Sequence, residues 1–197
     1  MKINDSKFKI DLIKPVKAAD HETITQFEEE IGNTIPIQYR EFLLQQNGGK
    51  PKLYVVKFGK RPYDDAAIDM FLGVKCKLSN SIKFFLEIYQ ERIPEWTLPI
   101  ASEEGDNLFL ISTRQSDNGA IFFWDHEKEQ TKKSYKKIAK DLYNFLQMLH
   151  PPKLIEYQLA NVVYDNGVSE TFLIDANFWS VSRNKVVAVS ELEINPA

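Results

Sequence analysis

Cysteine is almost missing from this chain. Cys76 is the single one in 197 residues, so an internal disulfide and a cysteine-built zinc cluster are both excluded. Histidine is scarce too, with only His21, His126 and His150. No window approaches the roughly 18 apolar residues of a membrane span, and the opening MKINDSKFKIDLIKP lacks the uninterrupted apolar stretch of a signal peptide. These features lead to the expectation of a cytoplasmic protein without a membrane partner. Neither charge dominates: 25 basic residues stand against 28 acidic ones, a formal net of only -3. Nucleic acid is therefore not the expected partner, whereas a basic protein is compatible.

The usual catalytic signatures are absent as well. There is no G-x-S-x-G elbow, H-E-x-x-H pair, Walker loop or G-x-G-x-x-G following a strand, which counts against the common hydrolase, metalloprotease and nucleotide-binding classes. No internal repeat or low-complexity stretch is present. What remains is ordinary globular composition, 43% hydrophobic and 27% charged. That suffices for one large domain with an appendage.

The apolar spacing sets an order of elements. Ile24, Phe27 and Ile31 recur at helical spacing, with Thr23 and Gln26 resembling a capping box and Gly32 marking the end. A second helix begins at Pro36, puts Tyr39, Phe42 and Leu43 on one face, and stops at Asn47, Gly48 and Gly49 before Pro51. The double glycine has two readings: a turn into a sheet, or close approach of a partner to bare backbone. Strands are expected at 53 to 58 and 69 to 75, with a loop between, then a third helix starting from Ser79 to Ser81 and ending near Pro94. Three short strands follow at 98 to 101, 107 to 112 and 120 to 125. Their turns hold Gly105 with Asp106 and Asn118 with Gly119, so they form an antiparallel meander. A fourth helix is expected over 134 to 149, its lysines outward, closed by Pro151 and Pro152. Beyond it lie two strands about Asn166-Gly167 and a further pair turning near Asn184. The fold class is α+β: a mainly antiparallel twisted sheet with flanking helices over residues 1 to 150, plus a C-terminal β extension over 151 to 197 packed on it or on a second copy of the chain. The segment from 155 onward holds six acidic and two basic residues.

Candidate chemistry is sparse. Trp124, Asp125, His126 and Glu127 gather at the end of an apolar strand, where an imidazole between carboxylates suits a base, a metal ligand or a pH-sensitive contact; one histidine supplies too few ligands for a transition metal. Glu103, Glu104 and Asp106 form an acidic turn and Asp64 with Asp65 another, and neither matches a calcium loop. The lysines of 132 to 140 read as a solvated face. Cys76, between Lys75 and Lys77 at an apparent strand end, would have its pKa lowered by those lysines, without any inferable histidine base. No cofactor is expected.

The segments FEEEIGNTIPIQYREFLLQQNGGKP (27 to 51), FLGV (71 to 74), RIPEWTLPIASEEGDNLFLIS (92 to 112) and GAIFFWDHE (119 to 127) together resemble the SUKH superfamily, its Smi/Knr-like branch. The resemblance covers about residues 20 to 150, while the tail at 151 to 197 departs from the family's compact length. It implies an α+β domain that binds proteins without catalysis. Many bacterial members are implied to be immunity proteins that neutralise a cognate toxin, a nuclease among the candidates; the alternative is an intracellular scaffold or regulator with no toxin partner. Under either reading Asn47, Gly48, Gly49, Glu103, Glu104, Asp106, Trp124, Asp125 and His126 are the candidate partner-binding residues, and a homodimer is one assembly the tail allows. A third alternative is an enzyme using Asp125, His126 and Glu127.

Overall fold

The computed structural model describes residues 7–60, 65–128, 134–152, 157–163 and 169–175. In chain order it contains β1 (Leu12–Pro15), α1 (His21–Ile31), α2 (Ile37–Gln45), β2 (Gly49–Pro51), β3 (Val55–Lys57), β4 (Asp65–Phe71), α3 (Ile82–Tyr89) and β5 (Thr97–Glu103). It continues with β6 (Leu108–Ser112), β7 (Ile121–Trp124), β8 (Tyr135–Ala139), α4 (Leu142–Leu146), β9 (Leu149–His150), β10 (Tyr157–Val163) and β11 (Ser169–Asp175). The chain divides into two compact units, Met1–Pro152 and Lys153–Ala197.

In the first unit the described strands form one antiparallel sheet in the order β1-β2-β4-β5-β6-β7-β8, with β3 paired to β4 and β9 to β3. The architecture is α+β, as the sequence implies. Its centre is the meander β5-β6-β7, where Leu108 faces Trp124 and Phe109 faces Phe123 across the strands. Every residue of β6 is buried, so both faces of the sheet need cover. Alternation along the strand divides the work. Phe109 and Ile111 point into the larger core with Phe42 of α2, Phe71 of β4 and Phe145 of α4; the rings of Phe109 and Phe145 lie 5.2 Å apart. Leu108 and Leu110 point the other way, where Phe122 and Trp124 meet Tyr89 of α3 and Ile93. Each such fully buried side chain stabilises the fold by roughly 1.5–3 kcal/mol.

Local chemistry sets the helix ends. The Asp20 carboxylate caps α1, accepting from the Thr23 amide at 2.8 Å, so the cap lies three residues earlier than the Thr23–Gln26 box suggests. Gly32 closes the helix in the left-handed conformation, φ 61°. Helix α2 has no side-chain cap of its own. Glu28 of α1 does related work there: its Oε1 accepts from the Ile35 amide at 2.9 Å while Oε2 pairs with Arg40. The corner between the helices is thus clamped by one carboxylate. Ser81 caps α3, which ends at Tyr89, short of the expected Pro94.

The expected helix over 134 to 149 is the main correction. Residues 135–139 form strand β8 along β7, pairing Trp124 with Tyr135 and Phe123 with Lys136. Asp141 then caps a helix of five residues, accepting from the Asn144 amide at 2.8 Å. Ile138, Leu142 and Phe145 do recur at helical spacing, yet hydrogen bonds to β7 outweigh that period, and the lysines blunt a sheet edge. The lysine-rich opening, read without a period, supplies β1 against β2. The strand expected at 53 to 58 is β3, shortened to Val55–Lys57, while β2 falls at the double glycine and Pro51, where a helix stop and turn were expected; the strand expected at 69 to 75 is β4, which starts at Asp65 and ends at Phe71. Asp65 is therefore a strand residue opposite Lys57 rather than part of an acidic turn, and Asp64 lies outside the described residues.

In the second unit β10 and β11 pair antiparallel in continuous register, from Tyr157 opposite Asp175 to Val163 opposite Ser169. That is the hairpin expected about Asn166-Gly167. The pair expected near Asn184 lies outside the described residues.

Candidate binding site

The Gly105-Asp106 turn joins β5 to β6, with Asp106 in the left-handed region at φ 63°. Asparagine and aspartate tolerate this conformation better than other side chains. Glu103 folds its carboxylate back over the turn: Oε2 accepts from the Gly105 amide at 3.0 Å and from Asn107 Nδ2 at 2.9 Å. Asn107 in turn reaches the end of β7. Its Oδ1 accepts from the His126 amide at 3.0 Å and stands 2.9 Å from His126 Nδ1. Because an amide oxygen only accepts, Nδ1 carries the proton and Nε2 is left for another partner.

Asp125 completes this end of the sheet. Its Oδ1 accepts from the Glu127 amide at 3.1 Å, Oδ2 pairs with Lys128, and its own amide donates to the Ser134 carbonyl at 2.7 Å. Asp106 lies close enough to Tyr89 that its charge, after burial itself, helps push the phenol's pKa up. Glu104 is exposed; its charge reaches Lys50, whose amine is held above its usual pKa chiefly by a 3.0 Å hydrogen bond to Asp69. Six of the residues picked from sequence, Glu103, Glu104, Asp106, Trp124, Asp125 and His126, are thus gathered at one end of the meander. Asn107, which links them, was missed. Its only sequence signal is its place directly after a Gly-Asp turn.

Three qualifications come from burial. Trp124 is fully buried, stacked edge-on with Tyr89 at 5.4 Å and beneath the Arg92 guanidinium at 5.3 Å, so it supports the site from below. Its indole N–H meets no acceptor among the described residues. Glu103 is occupied with its own turn. Asn47, Gly48 and Gly49 are buried in a separate neighbourhood, where Asn47 holds the backbone of Val74 and the glycines admit neighbouring strands. The exposed charged groups of the cluster are Glu104, Asp106, Glu127 and Lys128, the last paired with Asp125, and Asp125 and His126 are half-buried.

The other candidates have local duties. Cys76 donates its thiol to the Asn80 carbonyl at 3.1 Å, and burial pushes its pKa up, against the lowering expected from the flanking lysines. It sits in a bend beyond β4 rather than at a strand end. His21 begins α1, and His150, expected beside a helix, lies in β9. Among the described residues, no group of three or more histidines, cysteines and carboxylates is placed to hold a metal ion, and no helix is long and apolar enough to cross a membrane.

Comparison with known proteins agrees with this architecture. The chain is 28% identical over 156 residues, covering 71% of this chain and 79% of the relative, to the SPbeta prophage-derived uncharacterized protein YokK of Bacillus subtilis (strain 168). The SMI1 / KNR4 family (SUKH-1) matches residues 18–148, a span that begins just before α1 and ends after α4. The clamped helical corner, the meander and its polar end are therefore those of a chain that belongs to the SMI1/KNR4 (SUKH-1) family.

Proposed function

We propose that this chain is a non-catalytic protein-binding module, an immunity protein that acts in the cytoplasm and neutralises a cognate bacterial toxin by occupying its surface. The observation that carries the reading is the family match over residues 18–148. A prophage-derived relative supports the bacterial, mobile-element version of the family's roles. The geometry is compatible: exposed carboxylates of Glu104, Asp106 and Glu127 stand on strand ends that Glu103 and Asn107 hold by side-chain bonds. A surface fixed in this way loses little entropy on binding. Carboxylates presented together suit a basic partner such as a nuclease, for which they mimic phosphate charge.

The test is co-expression with the product of the neighbouring reading frame. Rescue of growth and co-purification are expected, with both weakened in a Glu104→Lys/Asp106→Lys variant that still folds. Failure of the unaltered chain to rescue or co-purify overturns the reading. No turnover is expected of a binding module, whereas a turnover that disappears in His126→Ala would favour the enzyme alternative.

A further inference from the structure

Helix α3 is more apolar than its surroundings require. Six of its eight residues, Ile82, Phe84, Phe85, Leu86, Ile88 and Tyr89, are apolar, a composition typical of a helix covered on all sides. Only Ile82 and Tyr89 are buried, while Phe84, Phe85 and Leu86 are half-exposed and Ile88 is 50% exposed. Beside the helix, lined by its residues Lys83, Leu86, Glu87 and Gln90 and not by Phe84 or Ile88, lies a groove of about 360 Å³ with an apolar floor of Ile31 at the end of α1, Leu86, Ile93 and Pro94. Its rim is acidic. Glu87 and Glu95 face it beside Glu30, and Lys83, the one lysine among the described lining residues, is paired with Glu30 at 3.0 Å. Three carboxylates against one ammonium leave a local charge of -2.

We propose that the α3 groove is a docking surface for a protein partner that presents a basic segment with an apolar side chain to insert. An apolar floor supplies the anchor and the carboxylate rim selects lysine or arginine around it. Charge decides among occupants. The chain's own segment from 155 onward carries six acidic residues and two basic ones, so it shares the sign of the rim. A second copy would bring the same acidic rim against itself. This surface lies apart from the polar end of the meander and adds the partner's chemistry to the protein-binding reading, on which it rests only for the partner's identity.

The test titrates the full chain, isotope-labelled, with a short amphipathic Lys/Leu peptide and its Glu/Leu counterpart. Binding of the basic peptide is expected, with shifts centred on Leu86, Glu87 and Ile93. The surface variant Glu87→Lys/Glu95→Lys should weaken it about tenfold, while Glu104→Lys/Asp106→Lys should leave it unchanged. Equal binding of the acidic peptide, unchanged affinity in the Glu87→Lys/Glu95→Lys variant, or shifts centred elsewhere would overturn the proposal. So would proximity signals in the free chain between Leu86 and residues beyond 152, or self-association through α3. If the unaltered chain binds the basic peptide yet rescues no toxin, the immunity reading fails while the groove assignment stands. Loss of peptide binding with rescue intact removes the groove as the toxin contact.

Discussion

Asn47 holds both backbone groups of Val74. Its Nδ2 donates to the Val74 carbonyl at 2.7 Å and its Oδ1 accepts from the Val74 amide at 2.8 Å. All four groups are buried. The end of α2 and the chain leaving β4 are therefore joined as two strands would be, with one side chain standing in for a strand. The same junction brings Gly73 so near that a Cβ there would lie 2.6 Å from Asn47 Oδ1. The NGG and FLGV segments, apart in sequence, are one structural device.

Replacing Asn47 by alanine should therefore destabilise the first unit by about 3 kcal/mol, because two buried backbone groups lose their partners together. Chemical denaturation measures this. A loss below about 1 kcal/mol would mean that water or a shifted backbone replaces the bonds.

The glycines offer a contrast at similar backbone angles. Gly32 has φ 61° with open space around it, whereas Gly48 has φ 82° and a Cβ there would lie 2.8 Å from the Leu72 carbonyl oxygen and nearer still to that of Phe71. Gly32→Ala should cost about 1–2 kcal/mol, the conformational penalty alone. Gly48→Ala adds a backbone clash and should exceed about 3 kcal/mol. Equal thermal shifts in the two variants would contradict the close-approach account.

Glu28 makes the α1–α2 corner, so Glu28→Ala should lower stability by about 2 kcal/mol through the unpaired Ile35 amide and the lost Arg40 pair. A double-mutant cycle with Arg40→Ala isolates the ion-pair share. Near-zero coupling would assign the whole effect to the amide.

Asp117 gives the acid limb. The Arg114 guanidinium, whose Nε donates at 3.0 Å, and the Ser112 hydroxyl at 2.6 Å hold its carboxyl below the usual carboxylate pKa. A folded-state value below the unfolded one means a contribution fully present above the ordinary carboxylate pKa and lost as pH falls through the lowered folded value. Asp117→Asn should accordingly flatten the fall of Tm with pH below about pH 4. An unchanged acid limb in the variant would show that other carboxylates carry it.

Much of this arrangement was readable without coordinates. Short apolar runs bounded by Gly-Asp and Asn-Gly turns specify the β5-β6-β7 meander, and Asn166-Gly167 specifies the later hairpin, because these signals act over a few residues of backbone. The helix expected over 134 to 149 failed for the complementary reason. Ile138, Leu142 and Phe145 satisfy a helical spacing, and only the presence of β7 alongside makes strand pairing the better use of the backbone at residues 135–139.

The candidate site divides in the same manner. Glu103, Asp106, Asp125 and His126 stood out by residue type, but their meeting through Asn107 depends on strand register, which brings Leu108 opposite Trp124. Composition and local pattern determined the class of fold, the turns and the likeness to the SMI1/KNR4 family, since those follow from neighbours in the chain. Tertiary structure decided that Asn47 and the double glycine face inward, that Trp124 lies beneath the surface, and that α3 keeps an uncovered apolar side. Burial is a property of what packs across space, and a linear pattern specifies a face without specifying what covers it.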